Sequence, residues 1–228
     1  GYVGNPDLDS EIAHTVSATF DWHDARRQKW QLKATPYYTY VDDYIDATQI
    51  GTFHPRMAMQ ETRPILQFAN HDAVLYGIDV SGHMAVWDDS SFGRGVLSGV
   101  LGYTWSERRD NGESLYHVMP LNAKLTLEQQ KERWINAVDV ELVARKSRVQ
   151  DLRLEQESAG YALVNLRTSY TWSHLRIDAG IRNLFDRYHD LPLGGANYAA
   201  WKYEGSTGLI GSIPGPGRSY ELGATLMF

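Results

Sequence analysis

From Ser219 to the carboxyl end the side chains alternate without a break, and that period of two sets the terms for the rest of the chain. Tyr220, Leu222, Ala224, Leu226 and Phe228 fall on one face, and Ser219, Glu221, Gly223, Thr225 and Met227 on the other. Such spacing predicts a β-strand with one apolar face. The sequence finishes on an aromatic ring. A soluble domain has little reason to expose it there, whereas a strand in a bilayer can set it at the lipid interface.

The same pattern recurs upstream and predicts about nine strands in all. Ile12, His14, Val16, Ala18, Phe20 and Trp22 alternate with polar neighbours. Trp30, Leu32, Ala34, Tyr38 and Tyr40 form a second apolar series; Pro36 inside it calls for a bulge. An irregular stretch to about Arg63 is expected next. A third strand runs from Pro64 to about Trp87, a fourth carries Leu97 to Trp105, and a fifth starts at Leu121. Trp134, Val164 and Leu175 mark the sixth to eighth, and no helix is predicted.

Connection lengths alternate: short polar turns of about 2–7 residues, then loops of about 11–30. Outer-membrane barrels have tight turns on one rim and long loops on the other. Trp22, Trp30, Trp87, Trp134 and Trp172 all border the short turns, and Phe228 ends its strand at the same level. That is five of the chain's 7 Trp, gathered where a headgroup-level girdle belongs. The opposite face carries Asp21, Lys33, Asp79, Lys124, Asp139, Glu141, Arg167 and Asp178, as a hydrated lumen requires. A soluble antiparallel sandwich also alternates, but it does not collect Trp on one rim.

The expected fold is therefore all-β: an antiparallel transmembrane barrel portion facing the lipid bilayer. Nine strands cannot close an even-numbered barrel, and an open edge in hydrocarbon strands its peptide groups. The chain is thus expected to be the C-terminal portion of a larger barrel, completed by strands outside residues 1–228. A formal charge of -6 argues against nucleic acid as the partner, and the absence of Cys excludes disulfides and thiolate metal sites. No nucleophile, base and orienting group stand at recognisable spacing, so an enzyme is not expected. Asp139 and Glu141 read as lumen ion-pair formers.

Four segments carry a family resemblance. Gly4-Asn5-Pro6-Asp7-Leu8 with Glu11, Tyr76-Gly77-Ile78-Asp79, Asn183-Leu184-Phe185-Asp186-Arg187-Tyr188 and Pro216-Gly217-Arg218-Ser219-Tyr220 resemble, in that order, segments of TonB-dependent outer-membrane receptors. Glu221, Gly223, Leu226 and Phe228 are similar to the signal read by the barrel assembly machinery. The resemblance implies a barrel of about 22 strands with an N-terminal plug. It also implies a bacterial outer-membrane location and uptake driven by the TonB–ExbB–ExbD system. Neither plug nor TonB box lies in these residues; both are expected in a missing N-terminal part.

Cargo in this family is mostly a ferric siderophore, with haem, cobalamin, free metals and sugars less common. The expected function is siderophore uptake. Copper or zinc uptake within the same family, or a passive porin or adhesin barrel, are the alternatives. His54, Met57 and Met59 put an imidazole and two thioethers within six residues, a set suited to copper. His189, Tyr198, Trp201 and Tyr203 surround a Gly-rich segment and could stack on a flat ligand. His14, His71, His83, His117 and His174 are scattered, without a close pair. Asp110, Glu113, Asp151 and Glu155 are candidates for cations bridging lipopolysaccharide. Asn183 reads as a turn-starter, and no cofactor is expected.

Overall fold

The computed structural model describes every residue except 27–28, 55–62, 204–209 and 228. Strands β1 (Tyr2–Val3), β2 (Ile12–Ser17), β3 (Phe20–His23), β4 (Trp30–Phe53) and β5 (Arg63–Asp89) are followed by β6 (Gly93–Arg108) and β7 (Asn122–Lys131). Then come β8 (Trp134–Val143), β9 (Tyr161–Thr171), β10 (Leu175–Arg182), a short helix α1 (Tyr198–Tyr203) and β11 (Ser219–Leu226). Each strand from β4 to β11 pairs antiparallel with its sequence neighbour, giving one open sheet with β2 and β11 at its edges. Strand β1 is a two-residue parallel addition to β5. Counting β2 and β3 as one strand, nine cross the sheet, as the alternation predicts.

Pro36 explains why the first crossing strand is recorded in two pieces. Ser17 lies opposite Tyr37 and Phe20 opposite Ala34, so one register runs through both pieces. Between them Ala18 N donates to Pro36 O at 3.2 Å. The reciprocal bond cannot form because proline has no N–H. The bulge expected at Pro36 is absent; a lost bond accommodates the ring instead.

A bulge does occur near the other end of β5, where the alternation predicts none. Met84 faces Leu97 on the apolar side and Ala85 faces Val96 on the polar side; Val86 is then skipped and Trp87 pairs with Gly95. By strict alternation Trp87 would point into the polar face. The extra residue returns it to the apolar face, where its indole covers the gap left by Gly95. A Cβ added at Gly95 would sit 2.2 Å from Trp87 Cε2. Trp22, Trp30, Trp134 and Trp172 are each roughly half exposed beside the same rim. Tyr170 bridges two of them at 4.7 and 4.4 Å.

A second aromatic row lies toward the long-loop rim. Tyr38, Tyr76 and Trp105 stack in sequence at 6.4 and 6.3 Å between ring centres. Eight residues separate Trp30 from Tyr38, about 26 Å along a strand and comparable to the apolar band of a bilayer-spanning barrel, about 25 Å tall. On the opposite face Asp139, 2% exposed, accepts from Arg167 Nε at 2.7 Å and from Thr126 Oγ1 at 2.6 Å. Asn165 Nδ2 donates to Glu141 at 2.8 Å. Asp139 thus forms the lumen-side ion pairs expected of it, whereas the bond described for Glu141 comes from a neutral amide.

The irregular stretch expected after Tyr40 is a correction. Strand β4 is 24 residues long and β5 27, far more than the roughly 10 needed to cross. Their outer halves form a hairpin reaching well past the second aromatic row. Register shifts between Val41 and Tyr44 and between Gln49 and Gly51 break its phase. The small hydrophobic core sits here: Val41, Ala73 and Leu115, flanked by Tyr44, Leu75 and Val118. Ala73 and Leu75 share strand parity with Asp79, so the loop carrying Leu115 folds onto the polar side. Helix α1 and a single helical turn at Asp151–Arg153 also correct the helix-free expectation.

Candidate functional site

The outer mouth is built from the projecting β4–β5 hairpin and the three loops 109–121, 144–160 and 183–218. Each loop must satisfy its own backbone away from any ladder. Backbone bonds within and between the loops meet much of that need, and a few buried charged side chains tie the loops together.

Asp46, fully buried on the hairpin, is the first hub. It accepts from Ala47 N and from the Gln150 side-chain amide, with Arg153 Nη1 at 3.6 Å and Arg108 Nη1 at 4.0 Å. Arg108 also grips Asp110 through two nitrogens and reaches His71 Nδ1 at 2.9 Å. Thr48 Oγ1 lies 2.8 Å from His71 Nε2. His71 Nδ1 also lies 3.1 Å from Asp110 Oδ2, so the imidazole joins the Arg108–Asp110 pair to Thr48. Arg108 holds the Asp110 carboxyl below the ordinary carboxylate value.

Glu155 is the second hub. One oxygen accepts from Lys146 Nζ and from His117 N at 2.9 Å, the other from Gln150 N at 2.9 Å. Lys146 Nζ also donates to Pro192 O at 3.0 Å. One buried ion pair thereby joins all three loops. Glu155 is 6% exposed, so it is not available to solvent cations; the lipopolysaccharide-bridging role expected of it is replaced by loop cross-linking. Asp110 is likewise engaged by Arg108.

Aromatic rings and guanidinium groups lie around these hubs. The Arg153 guanidinium lies 3.7 Å from the Tyr116 ring centre, and Tyr116 stacks on His117 at 3.8 Å. His117 has φ of 60°, and burial pushes its imidazole below the ordinary value. Burial pushes the Tyr116 hydroxyl up. Arg63, at the end of the hairpin, stands 5.1 Å over Trp201 of α1.

The residues singled out in the sequence divide among these parts. His54 ends the described part of the hairpin, while Met57 and Met59 lie outside the described residues, as does Phe228. Tyr198, Trp201 and Tyr203 ride on α1, and Trp201 meets the hairpin through Arg63. His189 is set apart, 7% exposed, with its ring 4.5 Å from Tyr161 and tight against Gly215. Asn183 starts its turn as expected: φ is 48°, and its side chain bonds Arg187 N, Arg187 O and Pro216 O. Glu221 pairs with Arg182 at 2.7 Å; Gly223 and Leu226 lie opposite Asp178 and Leu175. Asp46, Arg108, Lys146 and Gln150 were not singled out. Only the Arg-x-Asp spacing of Arg108 and Asp110 could have suggested any of them.

The family model described as TonB dependent receptor-like, beta-barrel matches residues 1–184. Among solved structures, the copper transporter OprC superposes with a TM-score of 0.80 at 20% identity, over 98% of this chain and 33% of that one. A mutant of the ferric enterobactin receptor PfeA from Pseudomonas aeruginosa gives 0.70 at 17% identity, over 97% and 32%. The ferric yersiniabactin uptake receptor FyuA from Yersinia pestis gives 0.65 at 16%, over 96% and 30%. The chain thus spans about a third of the length of these structures, and the likeness is one of fold. No curated relative matches the chain.

Proposed function

The chain belongs to the TonB-dependent receptors, β-barrels of the bacterial outer membrane, and from that premise we propose that it forms the C-terminal wall and outer mouth of a receptor importing a metal chelate. The cargo of this reading is a ferric siderophore. Energy comes from TonB–ExbB–ExbD through a plug outside these residues. The barrel assembly machinery inserts the wall, and lipopolysaccharide surrounds its outer half.

One observation carries the cargo class. Arg153, Tyr116 and His117 form a stacked cationic and aromatic group held by the Glu155 and Asp46 hubs. The flat catechol rings and net negative charge of a ferric catecholate complex match such a surface through stacking and cation–charge attraction. A bare ion would gain little from it.

The test uses the full-length receptor and its deletion strain. A ferric catecholate chelate should quench tryptophan fluorescence in the purified receptor, and the Arg153→Ala/Tyr116→Ala variant should bind it at least tenfold more weakly. Unchanged affinity sinks the siderophore reading. Uptake should also vanish in a strain without TonB, whereas a passive porin would keep conducting.

Copper uptake is the second reading, favoured by the His54, Met57 and Met59 spacing and by the name borne by one similar structure, a copper transporter. A Cu(I) competition titration decides it. The Met57→Ala/Met59→Ala variant must lose affinity for copper to survive.

A further inference from the structure

The ladder between β6 and β7 ends at Gly102 and Asn122, although β6 itself continues to Arg108. Beyond that point a gap of about 230 Å³ lies between the free side of β6 and residues 144–148, with Met119, Pro120 and Leu121 also lining it. Trp105, one wall of the gap, belongs to the second aromatic row. Tyr103, Trp105 and Leu121 all have the strand parity of the bilayer-facing residues. The gap therefore interrupts the wall on its outer-leaflet side.

Arg148 closes part of this gap from the loop side. Its guanidinium lies 3.4 Å from the centre of the Trp105 ring, and Nη2 donates to Ser106 O at 2.9 Å. That bond serves a carbonyl beyond the end of the β6–β7 ladder. The charge is not served in the same way. Arg145 and Lys146 beside it have carboxylate partners, Glu157 and Glu155, whereas among the described residues no carboxylate pairs with Arg148. A half-buried guanidinium on the bilayer-facing side is costly without a counter-ion. Its planar donor fork has the geometry that takes two oxygens of a phosphate.

We propose that a lipid supplies the missing anion: the gap is a lipopolysaccharide site, in which a phosphate of the lipid A headgroup pairs with Arg148 and its sugar lies against Tyr103 and Trp105. An aromatic row marks headgroup level, the depth at which that phosphate stands. The site depends on the outer-membrane location of the barrel and not on its cargo. It also reverses the contact expected from the sequence. A cation on the wall meets the phosphate directly, where carboxylates were expected to meet it through bridging metal ions.

The full-length receptor, stripped of lipid in a mild detergent and kept free of divalent cations, would be titrated with lipid A and with dephosphorylated lipid A and read by native mass spectrometry. No chelate is present, so the siderophore reading stands or falls separately. The unaltered protein should retain one lipid A and prefer the phosphorylated form by about fivefold, the effect of one cation near a charged surface. Arg148→Gln, whose amide can still reach Ser106 O, should lose that preference, and Arg145→Gln should keep it. Equal retention of the two lipids by the unaltered protein overturns the site. So does an undiminished preference in Arg148→Gln, or an equal loss in Arg145→Gln. If Arg148→Gln fails to give a heat-modifiable barrel, Tyr103→Ala decides: its retention of lipid A should fall, and unchanged retention overturns the proposal.

Discussion

Gln150 donates its side-chain amide to the Asp46 carboxylate across 104 positions of sequence, and both side chains are shut off from solvent. This bond clamps the 144–160 loop to the β4–β5 hairpin. Replacing Asp46 by Ala removes the counter-charge that Arg153 and Arg108 share. Breaking a buried charged contact from one side costs about 3–5 kcal/mol. Asp46→Ala should therefore detach the loop without unfolding the wall. Limited proteolysis should cut within 144–160 in the variant and not in the parent, while the barrel band on a gel stays heat-modifiable.

Glu155 makes a different demand, because three loops depend on it. Glu155→Ala leaves Lys146 buried beside Pro192 without its carboxylate. Hydrogen exchange should rise together in 109–121, 144–160 and 183–218. A Lys146→Met/Glu155→Leu double replacement should recover part of the protection, since two matched apolar groups avoid the stranded charge. Faster exchange in 144–160 alone would contradict a shared anchor.

Gly95 should tolerate no side chain while Trp87 keeps its place. Gly95→Val forces the indole off the strand, and overpacking of this kind costs about 1–3 kcal/mol. A red-shifted tryptophan emission and a lower melting temperature are expected. Trp87→Ala/Gly95→Val should lose less than the two single changes added together.

Acid should loosen the mouth in two stages. Burial lowers His117 from its ordinary 6.5, so its contribution is complete above that value and falls as pH drops below it. Arg108 lowers Asp110 from its ordinary 3.8, so that contribution is complete above 3.8 and is lost as pH falls through the depressed value. Exchange in 109–121 should accelerate first below about 6.5 and again only below about 3.8. His117→Asn should remove the first step and Asp110→Asn the second.

The crossing strands were legible because each has one apolar face, and a period of two survives in Leu125, Leu127, Val138, Val140 and Leu166 without help from anything distant. The outer half of β4 was not. Its two register shifts interrupt the alternation around Asp42, Asp43 and Ile50, so a continuous strand reads as loop. The mouth was hidden for another reason. Asp46, Arg108, Gln150 and Glu155 are ordinary surface residues by composition, and only the return of distant loops onto the polar side buries them. Pro36 misled in the opposite sense: the ladder keeps its register past the ring and forgoes only the one bond that a proline nitrogen cannot donate.

The skipped position at Val86 makes the aromatic girdle depend on strand register as much as on chemistry. If Val86 instead paired with Gly95 in a regular ladder, no residue would change, yet inside and outside would exchange from there to the turn. Trp87 would then hang into the water-filled bore and Asp88 would meet lipid. Deleting Val86 would not do this, because Trp87 would then follow Ala85 directly and stay opposite Gly95 on the apolar face.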